Sequence, residues 1–421
     1  MAARTNDGDG RGAVPLTGRR RTLGCLVAAV VALGAVGGIV FAFLADSGYM
    51  PWFSMRTVWE APHDRGTSAQ GNRAWLAGDT LARSRFDGVT GYDAASGKKR
   101  WEYVPPRRTD VCATTARPDG PVVLIGYGEK GGPCATRAAL DLTDGRELWH
   151  TTAKTGYGSA AVGGGLVVLA DSGARGGLRA LDARTGAPRW TAAVPRGCAP
   201  GDVDAAGKQV VALLRCGEEA RLTALDPADG RARWTVPLDA RRGVAADATA
   251  YVLSADPAVV SVAEEKSGDG MRATLAFDPD GRPRGRIDDV GDYGSIEEVE
   301  VEGGRLFAIA SYEGSQSTWE RLVAFDLATG DQVWRADLGD ADLDEIDVTD
   351  GRVTTLAFDW KYGDRLHVFD AATGDEEDDR AFRDHVAGYA TEVGDMFTYE
   401  DGVIAVRWGS GERPLSAYER W

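Results

Sequence analysis

Apolar and polar positions divide the chain into two regimes. From Leu23 to Ala45 runs an uninterrupted stretch of 23 residues without a charge. At about 1.5 Å per helical residue it reaches roughly 34 Å, enough to cross a hydrocarbon core of about 30 Å. Arg19, Arg20 and Arg21 stand immediately before it, and Asp46 follows. Basic flanks stay on the cytoplasmic side of a span. The pattern therefore predicts a transmembrane helix over 23–45, with the N-terminus cytoplasmic and the rest of the chain outside. A cleaved signal peptide is the competing reading. Its apolar region normally runs about 7–15 residues, but Val40-Phe41-Ala42 offers small residues for cleavage. Residues 1–22 are polar and read as a short disordered cytoplasmic tail, and 46–54 as a linker.

Beyond residue 55 the apolar pattern breaks into short strand-like runs. Pro121-Val122-Val123-Leu124-Ile125, Gly165-Leu166-Val167-Val168-Leu169, Gln209-Val210-Val211-Ala212-Leu213-Leu214 and Arg305-Leu306-Phe307-Ala308-Ile309 are examples. Each precedes a copy of one motif, an apolar residue followed by Asp-x-x-x-Gly-x-x-x-Trp. The five intact copies are Asp93, Gly97, Trp101; Asp141, Gly145, Trp149; Asp182, Gly186, Trp190; Asp226, Gly230, Trp234; and Asp326, Gly330, Trp334. Two copies are degraded: Asp278 and Gly281 are followed by Gly285 at the Trp position, and Asp370 and Gly374 by Asp378. Ala417-Tyr418-Glu419 begins another copy at the end of the chain. The spacing of the copies runs from 41 to 52 residues, a repeat of the length used by propeller blades.

The motif reads as a tight hairpin. The apolar residue ends a strand, Asp accepts bonds from turn amides, and Gly supplies a positive φ that residues with a Cβ avoid. The next strand returns carrying Trp. Four short strands per repeat with Gly-rich turns predict an all-β, eight-bladed β-propeller of four-stranded antiparallel blades over 55–421. Arg56-Thr57-Val58-Trp59-Glu60 matches the Trp-bearing outer strand, whereas the last copy has no outer strand after it. The N-terminal strand is therefore expected to complete the C-terminal blade and remove a free edge.

The pattern Ala-Leu-Asp-x-x-Thr-Gly-x-x-x-Trp resembles the pyrroloquinoline-quinone (PQQ) enzyme-type repeat, over roughly residues 55–421. That repeat builds the propellers of quinoprotein alcohol dehydrogenases. It also builds the propeller lipoprotein of the bacterial outer-membrane assembly machine, which binds no quinone. The resemblance implies that Trp101, Trp149, Trp190, Trp234 and Trp334 dock between neighbouring blades. The dehydrogenases carry two adjacent cysteines against the quinone. No two of Cys25, Cys112, Cys134, Cys198 and Cys216 are adjacent, so that site is not carried over, and the expectation is no cofactor and no catalysis.

Composition narrows the function classes. With 48 Lys and Arg against 64 Asp and Glu the net charge is −16, which argues against a nucleic-acid surface. The four histidines, His63, His150, His367 and His385, lie far apart, and a lone His beside an acid is read as surface. Asp340, Asp342 and Asp344 begin like a calcium loop, but Glu345 stands where the EF-hand turn needs Gly. Residues 337–350 are read as a solvated acidic loop, and Glu376 to Asp379 as a solvated strand or turn. Trp319, Trp360 and Trp408 are read as strand residues covered by the next blade. Outside a membrane, Cys112, Cys134, Cys198 and Cys216 are disulfide candidates; Cys112 with Cys134 and Cys198 with Cys216 is favoured, and the other pairings remain open. The expected role is a membrane-anchored, extracytoplasmic, non-enzymatic scaffold in a bacterial envelope. Its partner would be an unidentified envelope or extracellular protein. A diverged quinoprotein and an extracellular sensor are the alternatives.

Overall fold

A computed structural model describes residues 17–62, 71–152, 160–171, 176–241, 243–264, 270–314, 318–339, 341–358, 363–382, 390, 392–408 and 413–420. One helix, Thr17–Asp46, precedes a chain of strands. Its Leu26–Asp46 portion is long and apolar enough to cross a membrane, and its side chains are exposed. The helix begins upstream of Leu23, which corrects the disordered tail expected over 1–22. Arginine is a good helix former, so Arg19–Arg21 extend the helix that the apolar run nucleates. Residues 1–16 of that tail lie outside the described residues.

The expected linker over 46–54 is also folded. Ser47 N–H and Tyr49 N–H donate to the Phe43 and Leu44 carbonyls at 2.9 Å each, so the helix ends in closed turns. Ser54 Oγ bonds the Met50 carbonyl at 2.6 Å. Arg365 reaches Asp46 Oδ1 at 3.3 Å, and Arg380 Nη1 donates to the Trp52 carbonyl at 2.8 Å. Those arginines belong to, or pair beside, the strand Glu376–Phe382. The junction is thereby docked on a sheet.

Among the described residues the strands form seven sheets, five with four strands, one with five and one with eight, antiparallel except for one pairing in the last. The four-stranded stretches run in sequence order from an inner first strand to an outer fourth, except that Ser54–Glu60 stands outermost beyond Leu415–Arg420. The first strands are Arg73–Ala77, Asp110–Thr114, Ala160–Gly163, Cys198–Ala205, Thr249–Ser254, Gly294–Glu302, Asp342–Thr349 and Val393–Tyr399. In the eight-stranded sheet, Ser54–Glu60 pairs antiparallel with Leu415–Arg420, with Thr57 opposite Tyr418 and Trp59 opposite Ala417. On its other side it meets Glu376–Phe382 in a short parallel pairing, Ser54 with Ala381 and Met55 with Phe382.

The core lies in the seams between sheets. In one seam Val211, Leu222 and Ala224 face Val260, Leu275 and Phe277 of the following sheet. In another, Phe307, Ile309 and Leu322 face Leu343, Ile346 and Val353. Each buried Val, Leu or Phe contributes about 1.5–3 kcal/mol. Asp342–Thr349 is thus a strand with buried Leu343, Ile346 and Val348, not the solvated loop expected over 337–350. Its apolar residues are spaced across a register shift between Leu343 and Ile346, which hides the alternation that marks a strand.

Candidate functional site: the hairpin seams and the inner face

Every described motif hairpin is built alike. Asp Oδ1 accepts a turn amide: Ser96 N–H to Asp93 at 2.8 Å, Thr143 to Asp141 at 2.9 Å, Thr185 to Asp182 at 2.9 Å, Ala228 to Asp226 at 2.9 Å and Thr329 to Asp326 at 3.0 Å. Gly186 sits at φ 68°, where a Cβ would be strained. That Cβ would also come within 2.7 Å of the Trp149 ring. The indole of one sheet therefore lies flat on the glycine of the next hairpin: Trp59 on Gly97, Trp101 on Gly145, Trp149 on Gly186, Trp190 on Gly230 and Trp334 on Gly374. Each indole N–H donates to a carbonyl of that hairpin, as Trp149 to Ala183 at 2.9 Å and Trp190 to Pro227 at 2.8 Å.

The degraded copies show how a seam closes without Trp. Trp234 still covers Gly281, donating to the Pro279 carbonyl at 2.9 Å. At Gly285 the next hairpin moves in: Gly285 N–H itself donates to the Leu327 carbonyl at 3.0 Å, and a Cβ there would lie 2.5 Å from Gly330 N. Asp378 instead holds Arg380 at 2.7 Å and Arg420 at 3.0 Å.

Sequence reasoning missed one member of the motif. Arg100, Arg189 and Arg233 each donate to the motif aspartate of their own hairpin, at 2.5, 2.6 and 2.8 Å. The Arg189 bond holds the Asp182 carboxyl down at about 2. The signal was present, since an Arg precedes Trp in all three copies.

The cysteines form two bonds, Cys112–Cys134 with Cα atoms 5.8 Å apart and Cys198–Cys216 with Cα atoms 4.0 Å apart. The latter joins directly paired positions on neighbouring strands.

The first strands converge on an inner face rich in carboxylates. Glu298, Glu300 and Glu302 alternate with Val299 and Val301 along one strand, so the acids share one side. Enclosure by protein pushes Glu345 up to about 9, with Glu298, Asp395 and Glu300 adding repulsion. Burial likewise raises Glu300 to about 7, and Asp395 to about 6 against the pull of Arg73. Arg117 approaches Glu300 at 3.8 Å and Arg73 approaches Asp395 at 3.6 Å. Other acids here tie one first strand to the next. Asp202 and Asp204 accept the Val252 and Ala255 amides at 2.8 Å each, and Asp347 accepts Thr398 at 2.9 Å.

The calcium candidates are not brought together as a loop. Asp342 and Asp344 lie on a strand, and Asp344 accepts the Val393 amide at 3.2 Å. Asp340 lies outside the described residues. His367 is not at the surface: it is buried, with Nδ1 2.7 Å from Glu376 Oε1 and 3.8 Å from Asp379 Oδ1. These three could ring a metal ion, but the Arg365 guanidinium already holds Asp379 in a two-pronged pair at 2.6 and 2.8 Å. His367 is buried because the strand Arg365–Asp370 is covered on both faces, with Leu366, His367, Val368 and Phe369 all buried. Trp408 donates to Asp395 at 2.8 Å beneath the Arg83 guanidinium, and Trp319 stands edge-on to Tyr312 at 6.0 Å. His63, His385 and Trp360 lie outside the described residues.

The sequence profile of the family described as outer membrane protein assembly factor BamB matches residues 38–212 and 115–278, together more than half of the chain. The chain belongs to this PQQ-like repeat propeller family. No curated protein matches it in sequence. Among solved structures, BamB from Moraxella catarrhalis is 16% identical with a TM-score of 0.49, over 87% of this chain and 99% of that one. The computationally designed Ika8 protein is 13% identical with a TM-score of 0.56, over 86% and 99%. Quinohemoprotein alcohol dehydrogenase ADHIIG from Pseudomonas putida HK5 is 12% identical with a TM-score of 0.51, over 89% and 79%. At such identities the last two likenesses speak for the propeller fold alone.

Proposed function

We propose that the chain is a membrane-anchored, extracytoplasmic, non-enzymatic scaffold that presents a closed propeller of eight blades to a protein of the cell envelope. The eight-stranded sheet counts as two blades in this reading, joined at Ser54–Glu60. In this plan a membrane helix leads through a docked junction into one propeller. The observation that carries the reading is continuity: the apolar helix runs through a folded junction into the strand that completes the last blade. An anchor built this way holds the propeller in one pose, which suits docking.

The residues do not fit the quinone of the dehydrogenases. This reading rests on the sequence, in which no two cysteines are adjacent, and on Cys112 being paired with Cys134 and Cys198 with Cys216. The motif residues serve hairpin and seam packing instead of lining a reaction site. The test is cross-linking in intact membranes followed by identification of the captured protein, beside titration of the detergent-solubilised chain with PQQ and calcium. Reproducible capture of one envelope protein supports the scaffold. A quinone absorbance change with dye reduction from an alcohol overturns it. Protease added to intact cells should digest the propeller.

A further inference from the structure

One wall of the inner face carries a charge that the packing of the propeller does not explain. Arg137, on the strand Thr136–Asp141, is 2% exposed, and among the described residues no carboxylate pairs with it. Its Nη1 bonds the Cys134 carbonyl and sulfur, at 3.1 Å each. The guanidinium lies across Gly126 of the neighbouring strand, where a Cβ would fall 1.9 Å from Nη1. The glycine therefore opens a passage for this side chain into a cavity of about 320 Å³. Arg73, Arg117, Thr114, Asp202 and Asp204 share its wall. Arg73 lies 3.6 Å from Asp395 and also attracts Glu298, Arg117 lies 3.8 Å from Glu300 and also attracts Asp204, and Asp202 and Asp204 accept backbone amides.

A buried cation without a counter-ion is costly, and native proteins seldom keep one without a partner. A guanidinium is also a rigid planar donor fork matched to a carboxylate. We propose that this cavity binds a small carboxylate, held by Arg137 from the floor and by Arg117 from the rim. The ligand completes the ion pair that the fold leaves open. Desolvation at Arg137 strengthens that contact, because little water competes there. The cavity volume suits a short mono- or dicarboxylic acid. The site is independent of the protein-docking role, since it lies within the propeller.

The test uses full-length protein in detergent at pH 7, with thermal unfolding followed as sodium succinate is titrated against sodium chloride of equal ionic strength. Succinate should raise the Tm saturably above the chloride control. Arg137→Met should abolish that rise while leaving the ligand-free protein at least as stable, because the substitution removes an unpaired buried charge. Arg117→Gln, at an exposed residue, should fold normally and weaken the apparent affinity about tenfold, the loss of one charge-assisted bond. Acetate should act in the same sense. No saturable rise above chloride with either acid, or an unaltered rise in Arg117→Gln and in any Arg137→Met protein that folds, overturns the proposal. Should Arg137→Met fail to fold, the Arg117→Gln titration decides alone.

Discussion

At the scale of single residues the motif tryptophans do two jobs at once, covering a glycine and bonding a carbonyl of the next hairpin. Trp190 is 8% exposed and bonded to Pro227, so Trp190→Ala should cost about 3–5 kcal/mol, read from the denaturant midpoint. The acids of the inner face are less conventional. Glu345, pushed up to about 9 from 4.5, takes up a proton on folding. The native state therefore binds more protons than the unfolded one between those values, and stability falls as pH rises through that window. Glu345→Gln should flatten the decline: Tm at pH 9 rises relative to the parent, while Tm at pH 4 stays level. An unchanged slope between pH 5 and 9 would refute the assignment. The motif residues were legible because Asp, Gly and Trp recur at fixed offsets. The inner acids were not, because the Glu298–Glu302 alternation occurs once and repeats nowhere. Arg137 left still less trace: its meaning depends on Gly126, which only strand pairing brings opposite.

Among the elements, the hairpin after Phe277 is the informative exception. Its seam is closed by backbone, Gly285 N–H to Leu327, where the seams that carry a motif Trp use an indole. Restoring the repeat pattern with Gly285→Trp should therefore destabilise the protein, since even a Cβ meets Gly330 N at 2.5 Å. Thermal unfolding of the variant checks this; a gain in Tm would show that the seam has room for the ring. Strand existence was readable from the alternating runs and from the turns between them. The strand Asp342–Thr349 escaped because its polar residues outnumber its apolar ones and a bulge interrupts their order. The same limit applied to residues 46–54, whose order comes from Arg365 and Arg380, arginines that lie far away in sequence.

For the whole molecule, closure rests on Ser54–Glu60. Deleting residues 54–60 leaves Leu415–Arg420 with an open edge and removes Trp59 from Gly97. The truncated chain should melt far below the full one and bind a dye for exposed apolar surface; an unaltered melt would separate this strand from ring stability. The pairing of Ser54–Glu60 with Leu415–Arg420 was inferable because Arg56–Glu60 has the pattern of the Trp-bearing outer strands.

The same joint sets an order in time. Ser54–Glu60 is among the earliest parts of the propeller to be synthesised, while its antiparallel partner, Leu415–Arg420, is the last described strand. During translation the first strand waits beside the helix with its edge unfilled, and its ring partner arrives only after the other described strands have been made. Contacts of such sequence separation close slowly. The charges of Arg56 and Glu60 guard that waiting edge against other strands, and Arg56 then pairs with Glu419 once the partner arrives. Fastening the first strand beside the helix makes the synthesis of Leu415–Arg420 the event that completes the ring.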